Sequence, residues 1–167
     1  MIQIKCDLDG VLVNMDEYIK QHLSPEAADN KELLWQELAM DSRFYQKMNP
    51  TPYAKRLWSA ITALDPEATI LSALPRKSTI PYADVDKRQW VHDHRRSVFG
   101  GRAPVVETCL YSANKWKHCM APKQILIDDK RSNCEDWIRA GGIAIHHTGS
   151  ATRTIKLLHD AIRIHKL

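Results

Sequence analysis

The chain has 167 residues, a net charge of +4 and a pI of about 8.9, with 44% hydrophobic and 26% charged residues. That length supports one domain with its own core, and the balance is that of an ordinary globular protein. No run approaches the ~20 apolar residues of a membrane-spanning helix, and polar residues break the stretch from Met1 to Asp7 where a signal peptide needs an apolar segment, so no membrane partner and a cytoplasmic location are expected. The mild positive charge suits an anionic substrate. Its local concentrations, Arg95-Arg96 and Lys115 to His118, fall short of the dense basic stripe of a polymer binder. Cys6, Cys109, Cys119 and Cys134 are widely spaced with no C-x-x-C pair, which predicts reduced, mostly buried thiols rather than a zinc site or disulfide framework.

In chain order, Ile2 to Asp7 is β-prone and ends in acidic residues and Gly10. Residues 16–48 follow, helical and polar, with Trp35, Leu38, Phe44 and Tyr45 scattered among them. This stretch is too long for a simple βα connection and predicts a small helical cap inserted into a core made of residues 1–15 and 49–167. After Pro52, residues Tyr53, Leu57, Ala60, Ile61 and Leu64 recur at helical spacing. Thr69 to Leu71 reads as a strand ending at Ser72 before Pro75, and Val105 to Leu110 as another. Gln124 to Ile127 is apolar and ends at Asp128-Asp129. Cys134, Trp137 and Ile138 mark a helix stopped by Gly141, Gly142 to His146 a last strand, and Ile155, Leu158, Ala161 and Ile162 a last helix. Short apolar runs alternating with helices predict an α/β fold: a Rossmann-like parallel sheet flanked by helices, with the small helical cap after its first strand.

Three of these strands deliver chemistry to one edge. Ligands of open parallel sheets bind at the carboxyl ends of the strands, where Asp7 and Asp9, then Ser72, then Asp128 and Asp129 are expected to meet. Carboxylates so gathered repel one another, and a hard cation such as Mg2+ relieves that repulsion with a few carboxylates and phosphate oxygens. Asp7 and Asp9, two apart on extended backbone, point the same way, and Gly10 allows a tight turn close to a ligand. One aspartate could attack phosphorus while the other protonates the leaving oxygen. Taken singly, Asp7 and Asp9 read as helix caps, Ser72 as a turn hydroxyl and Lys115 as a solvated lysine. His92 and His94, and His146 and His147, lie at spacings that face them apart, and they receive no chemistry.

Asp7-Leu8-Asp9-Gly10-Val11-Leu12 resembles the first motif of the haloacid dehalogenase superfamily phosphatases, Ile70-Leu71-Ser72 the second, and Ile125-Leu126-Ile127-Asp128-Asp129 the fourth. Within that superfamily the chain is most similar to the 5'(3')-deoxyribonucleotidases. Phe44-Tyr45 with Asn49-Pro50-Thr51-Pro52, then Asp86-Lys87-Arg88-Gln89-Trp90-Val91 with His94, then Asp128-Asp129-Lys130 with Asn133, Trp137 and Gly141-Gly142 resemble successive segments of that family.

The resemblance implies a magnesium-dependent phosphatase acting on nucleoside monophosphates through an aspartyl-phosphate. Asp7 is then the nucleophile and Asp9 the general acid and base, its carbonyl also reaching the metal. Asp128 is the carboxylate metal ligand, supported by Asp129, while Ser72 and the Ala73 amide hold phosphate. The third motif requires a lysine, for which Lys115 is the choice, Lys117 the alternative, and Lys123 too close to the next strand. Phe44 and Tyr45 either stack on the base or pack the cap onto the core, and Trp35, Trp58, Trp90 and Trp137 read as core or boundary residues. The related enzymes often pair as dimers, which extends to an expected homodimer. A strand-end (3') phosphatase, with nucleic acid as partner, and a non-catalytic nucleotide-binding module stay open as alternatives.

Overall fold

The computed structural model describes residues 2–167. Its centre is a five-stranded, all-parallel sheet in the order β3-β2-β1-β4-β5. The strands are β1 Ile4–Cys6, β2 Thr69–Leu74, β3 Val106–Leu110, β4 Ile125–Asp128 and β5 Ile143–His146. Helices α4 Ala54–Leu64, α5 Ala83–Asp93, α6 Arg131–Arg139 and α7 Ala151–His165 connect or flank them. The α/β Rossmann-like expectation is met. β1, β4 and their neighbour β2 bury Ile4, Cys6, Ile70, Leu71 and Ile125 to Ile127 almost completely, as strands covered on both faces must.

The strand order explains where a site can form. From β1 the chain moves out one way to β2 and β3, then returns to the other side of β1 for β4 and β5. The connections therefore diverge between β1 and β4, and such a switch point leaves a crevice at the carboxyl ends of the two strands. Asp7 follows β1 and Asp128 closes β4, with Cys6 and Ile127 paired in register.

The segment between β1 and α4 is helical, as expected: α1 Met15–His22, a 3-10 turn Pro25–Ala28, α2 Lys31–Met40 and α3 Phe44–Lys47. Asn14 caps α1 by accepting the Glu17 N–H, and Asn30 caps α2 by accepting those of Glu32 and Leu33. The two ends of the insert meet at a narrow neck: Val13 bridges Pro50, and the Asn14 N–H donates to Asn49 O at 2.8 Å. Beyond the neck the insert shares one apolar core with the sheet domain, through Tyr18, Leu38, Phe44, Tyr45 and Met48. The Trp90 indole N–H of α5 donates to Met48 O at 2.8 Å, fixing the exit of the insert. No described helix is long and apolar enough to cross a membrane. The four cysteines are free thiols, three of them buried.

One boundary differs from the sequence reading with consequences. β2 does not end at Ser72. It runs on to Leu74, because Ala73 and Leu74 keep pairing with Cys109 and Leu110 of β3. Ser72 is thus a mid-strand residue, fully buried, and not a residue at the strand's tip.

Candidate active site

Asp7 sits just past β1, where its N–H still donates to Ile127 O at 2.8 Å. Its Oδ1 accepts the Leu8 N–H at 2.7 Å, and its Oδ2 lies 2.7 Å from Lys115 Nζ. The same ammonium lies 2.7 Å from Asp128 Oδ2. Lys115 is therefore the lysine that the chain brings between the two acids, from 13 residues before Asp128. A 3-10 turn, Ser112–His118, delivers it, and Tyr111 starts that turn at φ 63. Lys117 is exposed beside the Trp116 ring, and Lys123 donates to His165 O, so neither reaches the acids.

Asp128 is fully buried. The Lys130 N–H holds its Oδ1 at 2.8 Å, and Asn133 Nδ2 lies 3.1 Å from both of its oxygens. Asp129 packs against the tight turn at Gly10, whose φ is +77. A β-carbon at position 10 would lie 2.2 Å from Asp129 Oδ2, so the glycine serves both the left-handed turn and the close approach of this acid.

Carboxylate oxygens of Asp7, Asp128 and Asp129 come within 4.8 Å of one another. Burial, with Asp128, Asp129 and Asp9 adding to it against the opposing pull of Lys115, pushes the Asp7 carboxyl well above the usual range. Burial and the charge of Asp128 push Asp129 up to about 6. Burial would by itself lower Lys115, but Asp7 and Asp128 together outweigh it and keep the ammonium charged.

This is a site with excess negative charge. Four carboxylates, those of Asp7, Asp9, Asp128 and Asp129, face two buried ammonium groups, and the deficit matches one divalent cation. Asn133 Oδ1, buried beside Asp128, has no hydrogen-bond partner. An all-oxygen set with an orphaned acceptor nearby is the donor chemistry a magnesium ion takes.

The second buried ammonium belongs to Lys87 of α5, to which the sequence reading assigned no role. It donates to Asp9 Oδ2 at 2.6 Å, Ser72 Oγ at 2.9 Å and Ala73 O at 2.6 Å, and it lies 4.4 Å from the centre of the Tyr45 ring. A lysine on a polar helix with little apolar contrast reads as solvated until its neighbours are known, so periodicity alone could not find it. Ser72 meets the other site residues through this ammonium, as a mid-strand side chain beneath the cavity floor.

Asp7, Asp9, Ala73, Lys115 and Asp129 line a cavity of about 920 Å³. The insert adds Met15, Ile19, Leu34, Trp35 and Tyr45 to its lining, together with the charged Asp16 and Lys31. Of the expected aromatic pair, Tyr45 lines the cavity, whereas Phe44 is fully buried between Tyr18 and Tyr45 and packs the insert onto the core. Trp35, expected in the core or at a boundary, is the half-buried aromatic that faces the cavity. Comparison with protein-family models and with curated proteins found no match for this chain.

Proposed function

We propose that the protein is a magnesium-dependent phosphomonoesterase that hydrolyses nucleoside monophosphates through an aspartyl-phosphate on Asp7. The observation that carries this reading is the clamp of Asp7 and Asp128 on one lysine at the sheet's switch point, beside Asp9 and under a cavity of nucleotide size.

With its Oδ1 fixed by the Leu8 N–H, Asp7 is held for attack on phosphorus. Its Oδ2 forms the new P–O bond as the bond to the leaving oxygen breaks, and the leaving oxygen takes a proton from Asp9. A water then attacks the phosphorus of the aspartyl-phosphate and gives its proton to Asp9. The Asp7–phosphorus bond breaks, which restores both acids and releases inorganic phosphate. Lys115 neutralises the nucleophile and the transferring phosphoryl group. Asp7, Asp128 and the Asp9 carbonyl would hold magnesium, with Asp129 in support, and the ion supplies charge neutralisation on the phosphoryl oxygens when bound. The Ala73 amide, on the lining of the cavity, would hold phosphate. The Trp35 face and the Met15, Ile19 and Leu34 wall favour a planar, partly apolar body such as a nucleoside, and the insert that carries them shields the reaction from water.

Phosphate release from a panel of nucleoside monophosphates, ribo and deoxy, 5' and 3', with magnesium and alongside Asp7→Asn, tests this reading. Release that depends on Asp7 and on magnesium supports it, and no release from any monophosphate contradicts it. A 3'-phosphorylated oligonucleotide belongs in the panel, because exposed Lys31, Arg76 and Lys130 line the cavity mouth and could meet a strand's backbone. Release from that substrate alone would move the assignment to a strand-end phosphatase.

A further inference from the structure

We propose that Glu107 and His118 are positioning residues that pin the 3-10 turn Ser112–His118 to the sheet and so set Lys115 between Asp7 and Asp128; this rests on the phosphatase reading above. Seven residues is long for a 3-10 segment, whose hydrogen bonds are poorer than those of an α-helix and which rarely runs beyond about four. Residues three apart on it eclipse one another, so Ser112, Lys115 and His118 lie along one side. Burial agrees: Lys115 is buried and Ser112 and His118 are half-buried, while Ala113, Trp116 and Lys117 are exposed. That side is tied at both ends. Lys130 Nζ donates to Ser112 Oγ at 2.8 Å, and His118 Nδ1 lies 3.3 Å from Glu107 Oε2.

Glu107 is itself fixed from three strands. It belongs to β3, and its Oε1 accepts from Lys5 Nζ of β1 and from Thr69 Oγ1 of β2, the latter at 3.1 Å. That leaves Oε2 for the His118 ring. Burial by itself would raise the Glu107 carboxyl, but Lys5, His118 and Thr69 outweigh it and hold it below the usual range, so it is an acceptor at neutral pH. The same sheet face carries Leu71, in register with Glu107, and Leu126, in register with Lys5. A charged pair among such neighbours pays a desolvation cost that an apolar pair of similar size avoids, so it adds little net stability. Its distinct work is the oxygen it presents to His118.

The consequence falls on Lys115. An ammonium on a flexible four-carbon stem meets two acids reliably only if its backbone is fixed. Its Nζ spends two protons on Asp7 and Asp128, and the third remains for a phosphoryl oxygen. The start of the turn is held by the Tyr111 N–H, which donates to Leu74 O at 3.0 Å, and by Asn114 Nδ2, which donates to Leu110 O at 2.6 Å. His118 and Glu107 hold its end. Releasing that end lets the turn shift, and Lys115 shifts with it.

The test reads Lys115 without needing turnover. Acetic anhydride labels lysines according to their exposure, and mass spectrometry follows Lys115, with Lys87, buried on α5, as the control. In His118→Leu, and in the double variant Lys5→Met with Glu107→Leu, which strands no charge, Lys115 should label at least about 10-fold faster at an unchanged Lys87 rate, as in a local opening. In both, kcat on a phosphate monoester should fall about 10- to 100-fold, the scale of a group misplaced by about 1 Å. The double variant should keep its Tm within about 3 °C of wild type. His118→Gln, whose amide still donates to Glu107, should recover most of both losses. Lys115 labelling within about 2-fold of wild type would overturn the proposal, as would faster labelling at unchanged kcat. So would Lys115 and Lys87 rates rising together, since the network would then only support the fold. Should the double variant lack a cooperative melt, His118→Leu, at a half-buried side chain, is read by the same criteria. Asp7→Asn separates the two levels. If it keeps turnover, the phosphatase reading fails; if it is inactive and Lys115 labelling does not change in His118→Leu, only the positioning assignment fails.

Discussion

Removing the guanidinium of Arg43 should weaken the joint between α3 and α5 and lower the stability of the whole domain. Asp86 is fully buried, with Arg43 Nε at 2.9 and 3.0 Å from its two oxygens, Arg43 Nη2 at 2.7 Å and Gln46 Nε2 at 2.8 Å. In Arg43→Met that buried carboxylate keeps one neutral donor. Stranding one partner of a buried pair costs about 3–5 kcal/mol. The Arg43 side chain is 44% exposed, so solvent already screens part of the attraction and the expected loss falls to about 2–3 kcal/mol. For a domain of this size that is a drop of roughly 5–10 °C in Tm. Urea and thermal unfolding of wild type, Arg43→Met, Asp86→Leu and the double variant measure it. The double variant strands no charge and should lose less than the two single losses added, with a coupling of about 2 kcal/mol. A single-variant loss below about 0.5 kcal/mol with no coupling would refute the reasoning, since it would mean that water compensates Asp86 as well as Arg43 does.

Gly10→Ala should destabilise the protein by about 1–2 kcal/mol through its left-handed backbone and raise the magnesium concentration needed for half-maximal stabilisation, because the new methyl displaces Asp129; melting curves with and without magnesium measure both. Trp35→Ala should reduce kcat/KM for nucleoside monophosphates by about 10-fold, roughly the worth of one stacked aromatic, and leave a small alkyl phosphate within about 2-fold. His147 is buried, with Tyr53 Oη 2.9 Å from its Nε2 and Thr154 Oγ1 2.8 Å from its Nδ1. Burial, with His146 adding to it, holds its pKa below the ordinary 6.5. The unfolded chain therefore binds the proton first, so the stability this group contributes is full above about pH 6.5 and is lost as pH falls through the folded-state value. Tm against pH should show that decline in wild type and lose this component in His147→Gln.

The acids were legible in the sequence because their cue is local. An apolar run ending in Asp-x-Asp-Gly, and a second ending in Asp-Asp, place carboxylates at the tips of buried parallel strands whatever the rest of the chain does. β1 lies within the run Ile2 to Asp7 that suggested it, and β4 overlaps the run Gln124 to Ile127 and extends one residue past it to Asp128. A lysine between β3 and β4 was expected only through the resemblance to the phosphatase motifs, and the two contacts at 2.7 Å single out Lys115 from Lys117. What stayed hidden depends on packing between distant segments. Lys87 meets Asp9 across 78 residues, and no periodicity on α5 marks its side chain as buried. The end of β2 was misplaced because the pairing of Ala73 and Leu74 with β3 is a property of the partner strand and not of the run Thr69 to Leu71. Phe44 follows the packing alternative, since the turn into the four-residue α3 puts it into the core, while α2, with little apolar contrast around its circumference, leaves Trp35 half-buried and on the cavity lining, which its sequence neighbours do not mark.

The central claim is covalent: phosphate passes through Asp7. Incubating the protein with a radiolabelled phosphate monoester and magnesium, quenching in acid and mapping the labelled peptide tests that claim directly. The account predicts an acid-stable, hydroxylamine-sensitive label on the peptide containing Asp7, absent in Asp7→Asn. Turnover in wild type with the label on another residue, or persisting turnover in Asp7→Asn, would contradict it.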